Sequence, residues 1–426
     1  MTSIPGPDSI VRREFPNGMT VLVRENFSSP SVVIDGMLRV GGVDDPPDQA
    51  GLSSFMAACL MRGTERRTFQ QIYEEIESIG AMVDVGSGLN TSGFGCKSLA
   101  EDLPTVIDIL ADVLQHPTFP AAEVEKERGE ILTDLEERVN DTRRMAGLTF
   151  RKLLYPAGHP YSRSMEGYPE TVQAISRDDM MNFYRSRYGA SGMIVSIVGA
   201  VKAEAAFEAW ERAFGAWHGA DGAGLRAPLA PAPQVTEVRR EFAAIPGKTQ
   251  SDVLLGTVGP ARAEPDYWDA ALCNTILGVF GLMGRLGQNV RDKLGLAYYS
   301  YSRVEGGLGP GPWVIAAGVD PANVERAVEA MRAQIRRIRD KTVGAKELAD
   351  NKAFITGSLP LRLETNDGVA GVILDMELYG LGLDYLERYK DMIYAITPKR
   401  IQAAAQKYLD PDRYALAIAG PSSNAQ

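Results

Sequence analysis

The block Ala174-Ile175-Ser176 through Tyr188 to an apolar run closing at Gly199 returns as Ala395-Ile396-Thr397 through Tyr408 to a run closing at Gly420. Ala174 to Ala395 and Gly199 to Gly420 are both 221 positions apart. Earlier, Glu101-Asp102-Leu103-Pro104 before one amphipathic stretch is matched by Asp320-Pro321-Ala322-Asn323 before another, Val324 to Ile338. A repeat at this spacing means two copies of one domain. Gly219 to Gln234 combines Gly222, Gly224, Pro228, Pro231 and Pro233 with alanines and has no apolar periodicity, so it predicts a linker. The expected organisation is a domain over 1–218, a linker over 219–234 and a domain over 235–426. Each copy mixes antiparallel-looking strands with helices, which predicts an α+β fold of two homologous domains, each a mainly antiparallel sheet with helices on one face.

Local signals fill in the first copy. Arg12 to Glu25 reads as two strands around a turn at Asn17-Gly18, and Val32 to Val40 as a third. Thr68 is placed to cap a helix that has Phe69, Ile72, Tyr73 and Ile76 on one side and stops at Gly80. Strands over 81–86 and 91–99 precede a helix over 101–114 with Glu101 and Asp102 in its first turn, where the helix dipole favours acids.

The formal charge of -10 argues against nucleic acid as a partner, and no run of about 18 apolar residues is present to span a membrane. Cys59, Cys96 and Cys273 are widely spaced among apolar or small residues and read as buried free thiols. His116, His159 and His218 stand singly in turn-like surroundings, as loop or cap residues rather than ligands. Met1 to Ser9 has no basic and apolar leader pattern. A cytoplasmic protein is expected, or a bacterial periplasmic one if a leader has been removed.

Ala50-Gly51-Leu52-Ser53-Ser54-Phe55-Met56-Ala57-Ala58-Cys59-Leu60-Met61-Arg62-Gly63-Thr64 puts Leu52, Phe55, Met56, Cys59 and Leu60 on one helical stripe, and from the residues alone it is a core helix. Its frame also resembles the active-site helix of the pitrilysin-type zinc peptidases, or inverzincins, where H-x-x-E-H lies between A-G-L and a small apolar run ending in (K/R)-G-T. The chemical residues are missing. Ser54 stands for the first zinc histidine, Ala57 for the general-base glutamate and Ala58 for the second histidine. The resemblance puts the third zinc ligand at Asp134 and its acidic neighbour at Glu127, on a charged helix over 121–140 that otherwise reads as a solvated acidic face. It extends from about Arg12 to Pro421, taking in His159-Pro160-Tyr161 and Gly167, and implies no metal in this chain.

The second copy holds the intact motif, Gly278-Val279-Phe280-Gly281-Leu282-Met283-Gly284-Arg285-Leu286-Gly287-Gln288-Asn289-Val290-Arg291-Asp292-Lys293-Leu294-Gly295-Leu296-Ala297-Tyr298. By itself it contains a helix-surface arginine and a core aromatic at a strand start. It is similar to the family segment L-G-G…R-L…(V/L/I)-R-x-x-x-G-L-A-Y, whose arginine and tyrosine reach substrate near the zinc of the other half. The corresponding residues here are Arg291 and Tyr298, with Gly295 expected to end the helix between them in a left-handed conformation. The glycines of 278–287, and Gly306, Gly307, Gly309 and Gly311, suggest mobile loops, though plain turns explain the second group equally well.

The resemblance therefore implies the non-catalytic subunit of a bacterial heterodimeric zinc peptidase related to mitochondrial processing peptidase. A homologous partner would carry H-x-x-E-H and the zinc, and this chain would offer Arg291 and Tyr298 to a peptide or unfolded polypeptide. The contrary expectation is a purely structural family member, like the core proteins of respiratory complexes. A self-paired form is a further possibility.

Overall fold

The computed structural model describes residues 4–219, 229, 231–279 and 284–421. Most of the linker expected over 219–234 and Phe280 to Met283 of the second motif lie outside the described residues.

The first half begins with β1 (Val11–Glu14), β2 (Thr20–Glu25) and β3 (Ser31–Leu38), then α1 (Leu52–Leu60) and α2 (Phe69–Ser78). β4 (Met82–Ser87), β5 (Ser92–Leu99), α3 (Leu103–Gln115), α4 (Ala121–Arg138) and α5 (Thr142–Leu154) follow. It closes with α6 (Pro169–Ala174), α7 (Arg177–Arg187), β6 (Ile194–Gly199) and α8 (Ala203–Phe214). The second half runs β7 (Arg239–Ala244), β8 (Ser251–Val258), α9 (Tyr267–Asn274), β9 (Ala297–Val304), β10 (Pro312–Val319) and α10 (Val324–Asp340). Next come α11 (Ala345–Arg362), α12 (Asn366–Leu378), α13 (Tyr385–Tyr394), α14 (Pro398–Tyr408) and β11 (Ala415–Gly420).

The repeated block acts the same way twice. Ser176 caps α7 by accepting from the Asp179 amide at 3.1 Å, and Thr397 caps α14 by accepting from the Arg400 amide at 3.3 Å. Each helix leads to a strand whose six residues are all buried, β6 and β11. β6 runs parallel to β2 and antiparallel to β3, and β11 runs parallel to β7 and antiparallel to β8. The full orders are β1-β2-β6-β3-β5-β4 and β7-β11-β8-β10-β9, so the sheets superpose element for element once β1 is set aside. Local rules also hold elsewhere: Thr68 and Gln71 form a capping box on α2, and Gly80 follows it with φ +62.

A strand buried along its whole length needs cover on both faces. In the first sheet one face meets α1, α3 and α8 through a core that includes Phe55, Phe94, Leu110 and Trp210. At roughly 1.5–3 kcal/mol for each fully buried large side chain, such a layer dominates stabilisation. The other face is covered by α12, and in the second sheet the corresponding cover is α5. The packed bodies are accordingly not the contiguous halves 1–218 and 235–426. One unit is Met1–Leu135, Ser164–Pro228 and Pro360–Arg388; the other is Glu136–Arg163, Leu229–Leu359 and Tyr389–Gln426. The contiguous halves mark the repeat in sequence. The units are formed by exchanging one covering helix each way.

Candidate functional site

In the first unit α1 starts on a buried carboxylate. Asp45 accepts from the amides of Gly51 and Ser53, both at 2.9 Å, and so satisfies donors that a helix start leaves open. Of the three degenerate positions, Ala57 is fully buried in the core and Ser54 and Ala58 are half-buried. Asp134 is exposed on α4. Two methyl groups and a hydroxyl do not make a zinc site, because zinc takes thiolate, imidazole or carboxylate ligands. No group of three histidines, cysteines or acids able to hold a metal occurs among the described residues. The residues here do not fit the metal.

The acidic helix α4 is less solvated than its composition predicts. Glu127 is buried and ion-paired with Arg62, whose guanidinium also reaches Glu130 at 2.9 Å and Glu123 at 3.7 Å. Arg62 lies over the Phe69 ring, 5.0 Å from its centre. Burial, with Glu127 nearby, pushes the Cys59 thiol up to about 12, so it stays protonated and inert. Arg62 thus gathers three acids of α4, Glu127 among them.

In the second unit the backbone departs from regular form at each residue of interest. After α9 the chain forms a π turn over Thr275–Val279, and a second over Gly287–Lys293 that carries Arg291. Such turns are rare and collect at functional sites. Gly278 has no room for a side chain, since a Cβ there would stand 2.5 Å from the Ser302 nitrogen of β9 and 2.9 Å from the Leu286 side chain. Gly295 then takes φ +61 with open space around it, so it serves conformation rather than packing. Its amide donates to the Arg291 carbonyl at 3.0 Å, and that of Leu296 to the Val290 carbonyl at 3.0 Å.

β9 forms the edge of the second sheet and is interrupted where Tyr298 lies. Tyr299 pairs with Gly318 and Ala297 with Val319, which leaves Tyr298 as the extra residue of a β-bulge. A bulge re-aims a side chain, and Tyr298 is 81% exposed. The expectation of a core aromatic at this strand start is therefore wrong: the bulge turns the ring out of the layer its residue type would favour. Arg291 is exposed too, and among the described residues neither side chain has a hydrogen bond, ion pair or ring contact. A free guanidinium and a free phenol stand on two elements that pack together. Both are donors suited to a carbonyl or carboxylate oxygen.

Sequence reasoning missed the two π turns, the bulge and the Arg62 cluster. The glycine spacing from Gly278 to Gly295 was the available signal for the first two. For the third it was an arginine closing an apolar helix in a chain that also holds a strongly acidic one.

Two family models match this chain, "Insulinase (Peptidase family M16)" over residues 20–155 and "Peptidase M16 inactive domain" over residues 174–354. The chain belongs to peptidase family M16. Its relatives include an uncharacterised zinc protease of Streptomyces coelicolor, 26% identical over 99% of this chain and 92% of that protein. Another is an uncharacterised zinc protease of Bacillus subtilis, 24% identical over 97% of this chain and 99% of that one. A probable mitochondrial-processing peptidase subunit beta of Arabidopsis thaliana is 27% identical over 47% of this chain and 37% of its own length. Among solved structures, a peptidase M16 inactive domain from Pseudomonas fluorescens superposes with a TM-score of 0.90 at 24% identity, covering 97% of this chain and 98% of that one. A protease from Helicobacter pylori gives 0.90 at 18% identity, covering 98% and 100%. The family M16 fold, two sheets with helices and an overall zinc-protease-like architecture, is thereby shown. Among the described residues, no helix is long and apolar enough to cross a membrane.

Proposed function

We propose that this chain is the non-catalytic subunit of a heterodimeric M16 zinc peptidase, supplying Arg291 and Tyr298 to a peptide bound at the zinc site of a homologous H-x-x-E-H partner. The supporting observation is the pairing of two facts. The two histidine-ligand positions carry Ser54 and Ala58, which leaves Asp134 a lone carboxylate, whereas Arg291 and Tyr298 stand free among the described residues on a π turn and a bulge. Backbone irregularity costs free energy, and it persists where surroundings enforce it for a use.

In this role the zinc belongs to the partner and the chain contributes binding and orientation. Arg291 presents a planar donor fork to a main-chain carbonyl or a carboxylate of the peptide. The Tyr298 hydroxyl donates to the scissile carbonyl oxygen, where charge grows during hydrolysis and a fixed donor is worth most. Substrates are short or unfolded peptides that can lie extended along a strand edge.

The test is hydrolysis of a labelled peptide by this chain alone, by the H-x-x-E-H partner alone, and by the mixture. Activity is expected in the mixture only, and Arg291→Ala or Tyr298→Phe should lower its turnover by at least about tenfold while the complex still assembles. A partner that works equally well alone would leave this chain a structural member of the assembly.

A further inference from the structure

The second π turn is fastened at its start by an ion pair that the proposed function leaves unused. Arg285 lies just ahead of Gly287–Lys293, and its side chain is only 6% exposed. Its Nε and Nη2 donate to the two carboxylate oxygens of Glu347, both at 2.8 Å. Glu347 occupies the first turn of α11, where the helix dipole favours an acid. Hydrogen bonding from Arg285 holds its carboxyl below the usual carboxylate range. Two side-chain amides brace the backbone on either side of the fork. Asn289 donates to the Arg285 carbonyl and Asn351 to the Glu347 carbonyl, each at 2.8 Å.

Stability alone does not explain this arrangement. The guanidinium taken out of water loses hydration that its attraction to Glu347, whose side chain keeps 34% exposure, only partly restores, and apolar residues of like volume commonly serve as well. Here the remaining guanidinium nitrogen, Nη1, is buried without a partner among the described residues, which adds to the cost. What an apolar pair cannot supply is direction. A two-point fork between planar groups fixes the rotation of the backbone that carries it. Rotation matters here because Arg291 lies within the same π turn, and Gly295 hands the chain directly to the bulge at Tyr298.

We propose that Arg285 and Glu347 are a positioning pair that sets the aim of Arg291 and Tyr298. This rests on the role proposed above for those two residues. A strut of this kind touches no substrate. It acts by holding the start of the π turn to α11, so that the donors beyond it arrive already oriented.

The experiment compares Arg285→Lys, which keeps the charge and loses the fork, with the double change Arg285→Met and Glu347→Met, which keeps volume and loses both charges. Hydrogen exchange on the isolated chain reads the amides of Leu294, Gly295 and Leu296, bonded to the carbonyls of Asn289, Arg291 and Val290. These amides should exchange roughly tenfold faster in both variants. The double variant should melt at or above the temperature of the unchanged chain. In the assembled complex turnover should fall about tenfold with KM nearly constant, a split that lost packing would not produce when the melting temperature is retained. Unchanged exchange overturns the strut, whatever the activity. Faster exchange with turnover left whole, both in these variants and in Arg291→Ala, overturns the proposed function instead.

Discussion

Helix α1 and the segment from Gly287 to Tyr298 occupy the two places where the family resemblance locates chemistry, and they have gone opposite ways. In α1 the backbone is regular, the start is capped by Asp45, and the position of the general base is a fully buried Ala57. In the other segment the backbone passes through a π turn, a left-handed glycine and a bulge, and its two polar motif residues have no partner among the described residues. Once a polar side chain has no ligand to meet, burial favours its replacement by something small and apolar. An irregular backbone that displays free donors has no such justification from packing. Under the proposed function, the difference separates a core region from one presented to substrate.

The most direct way to break this contrast is to return one residue of the lost chemistry. Ala57→Glu puts a carboxylate at a position with no solvent exposure, within the apolar core. A loss of about 4 kcal/mol in unfolding free energy is expected, measured by denaturant titration. A loss below about 1 kcal/mol would mean that α1 still has space for its old side chain, and the contrast would weaken.

A smaller effect sharpens the contrast on the opposite faces of the two sheets, beneath the exchanged helices. In the second unit Asp252 on β8 is buried and accepts from the hydroxyls of Thr142 and Tyr299. In the first unit Asp35 on β3 has no donor among the described residues, lies 3.5 Å from where a Cβ on Gly371 of α12 would be, and has Asp84, Asp375 and Asp367 nearby. Lys97 is already paired with Asp367, and Arg362 with Asp375. Burial, then these like charges, push the Asp35 carboxyl up to about 6. The folded value is above the unfolded one, so the protonated form stabilises the fold. That contribution is complete below about pH 4 and is lost as pH rises through about 6. Asp35→Asn should then raise stability by about 1–2 kcal/mol near pH 8, allowing for partial solvent screening, and by much less near pH 4. Equal effects at both pH values would show that Asp35 is adequately solvated and that the two covered faces do not differ.

The parts of this molecule that were legible in the sequence are those governed by neighbours along the chain. The repeat, the caps at Thr68, Ser176 and Thr397, and the left-handed Gly295 each follow from a few adjacent residues. What escaped depends on residues far apart. The apolar residues of α5 and α12 fix that each helix is packed, but not which sheet it covers. The bulge at Tyr298 is a property of register against β10, and residue type alone placed the ring inside. Most acids of α4 are solvated as read, but Glu127 is buried against Arg62, 65 positions before it, and that link cannot be made by reading along the chain. π turns are rare, and only the density of glycines hinted that 278–295 was unusual.

The smallest effect is the one that most tests the difference between core and display. If Tyr298 were packed, losing its hydroxyl or ring would be felt in stability. Its exposure of 81% and lack of partners predict otherwise. Tyr298→Phe and Arg291→Ala should each change the unfolding free energy of the isolated chain by no more than about 0.5 kcal/mol, the usual range for a surface change that breaks no contact. A larger loss would assign the residue to the fold and return the segment to the same state as α1. A neutral change in stability, set beside a large loss of turnover in the complex, would leave presentation to substrate as the reason for the π turn and the bulge.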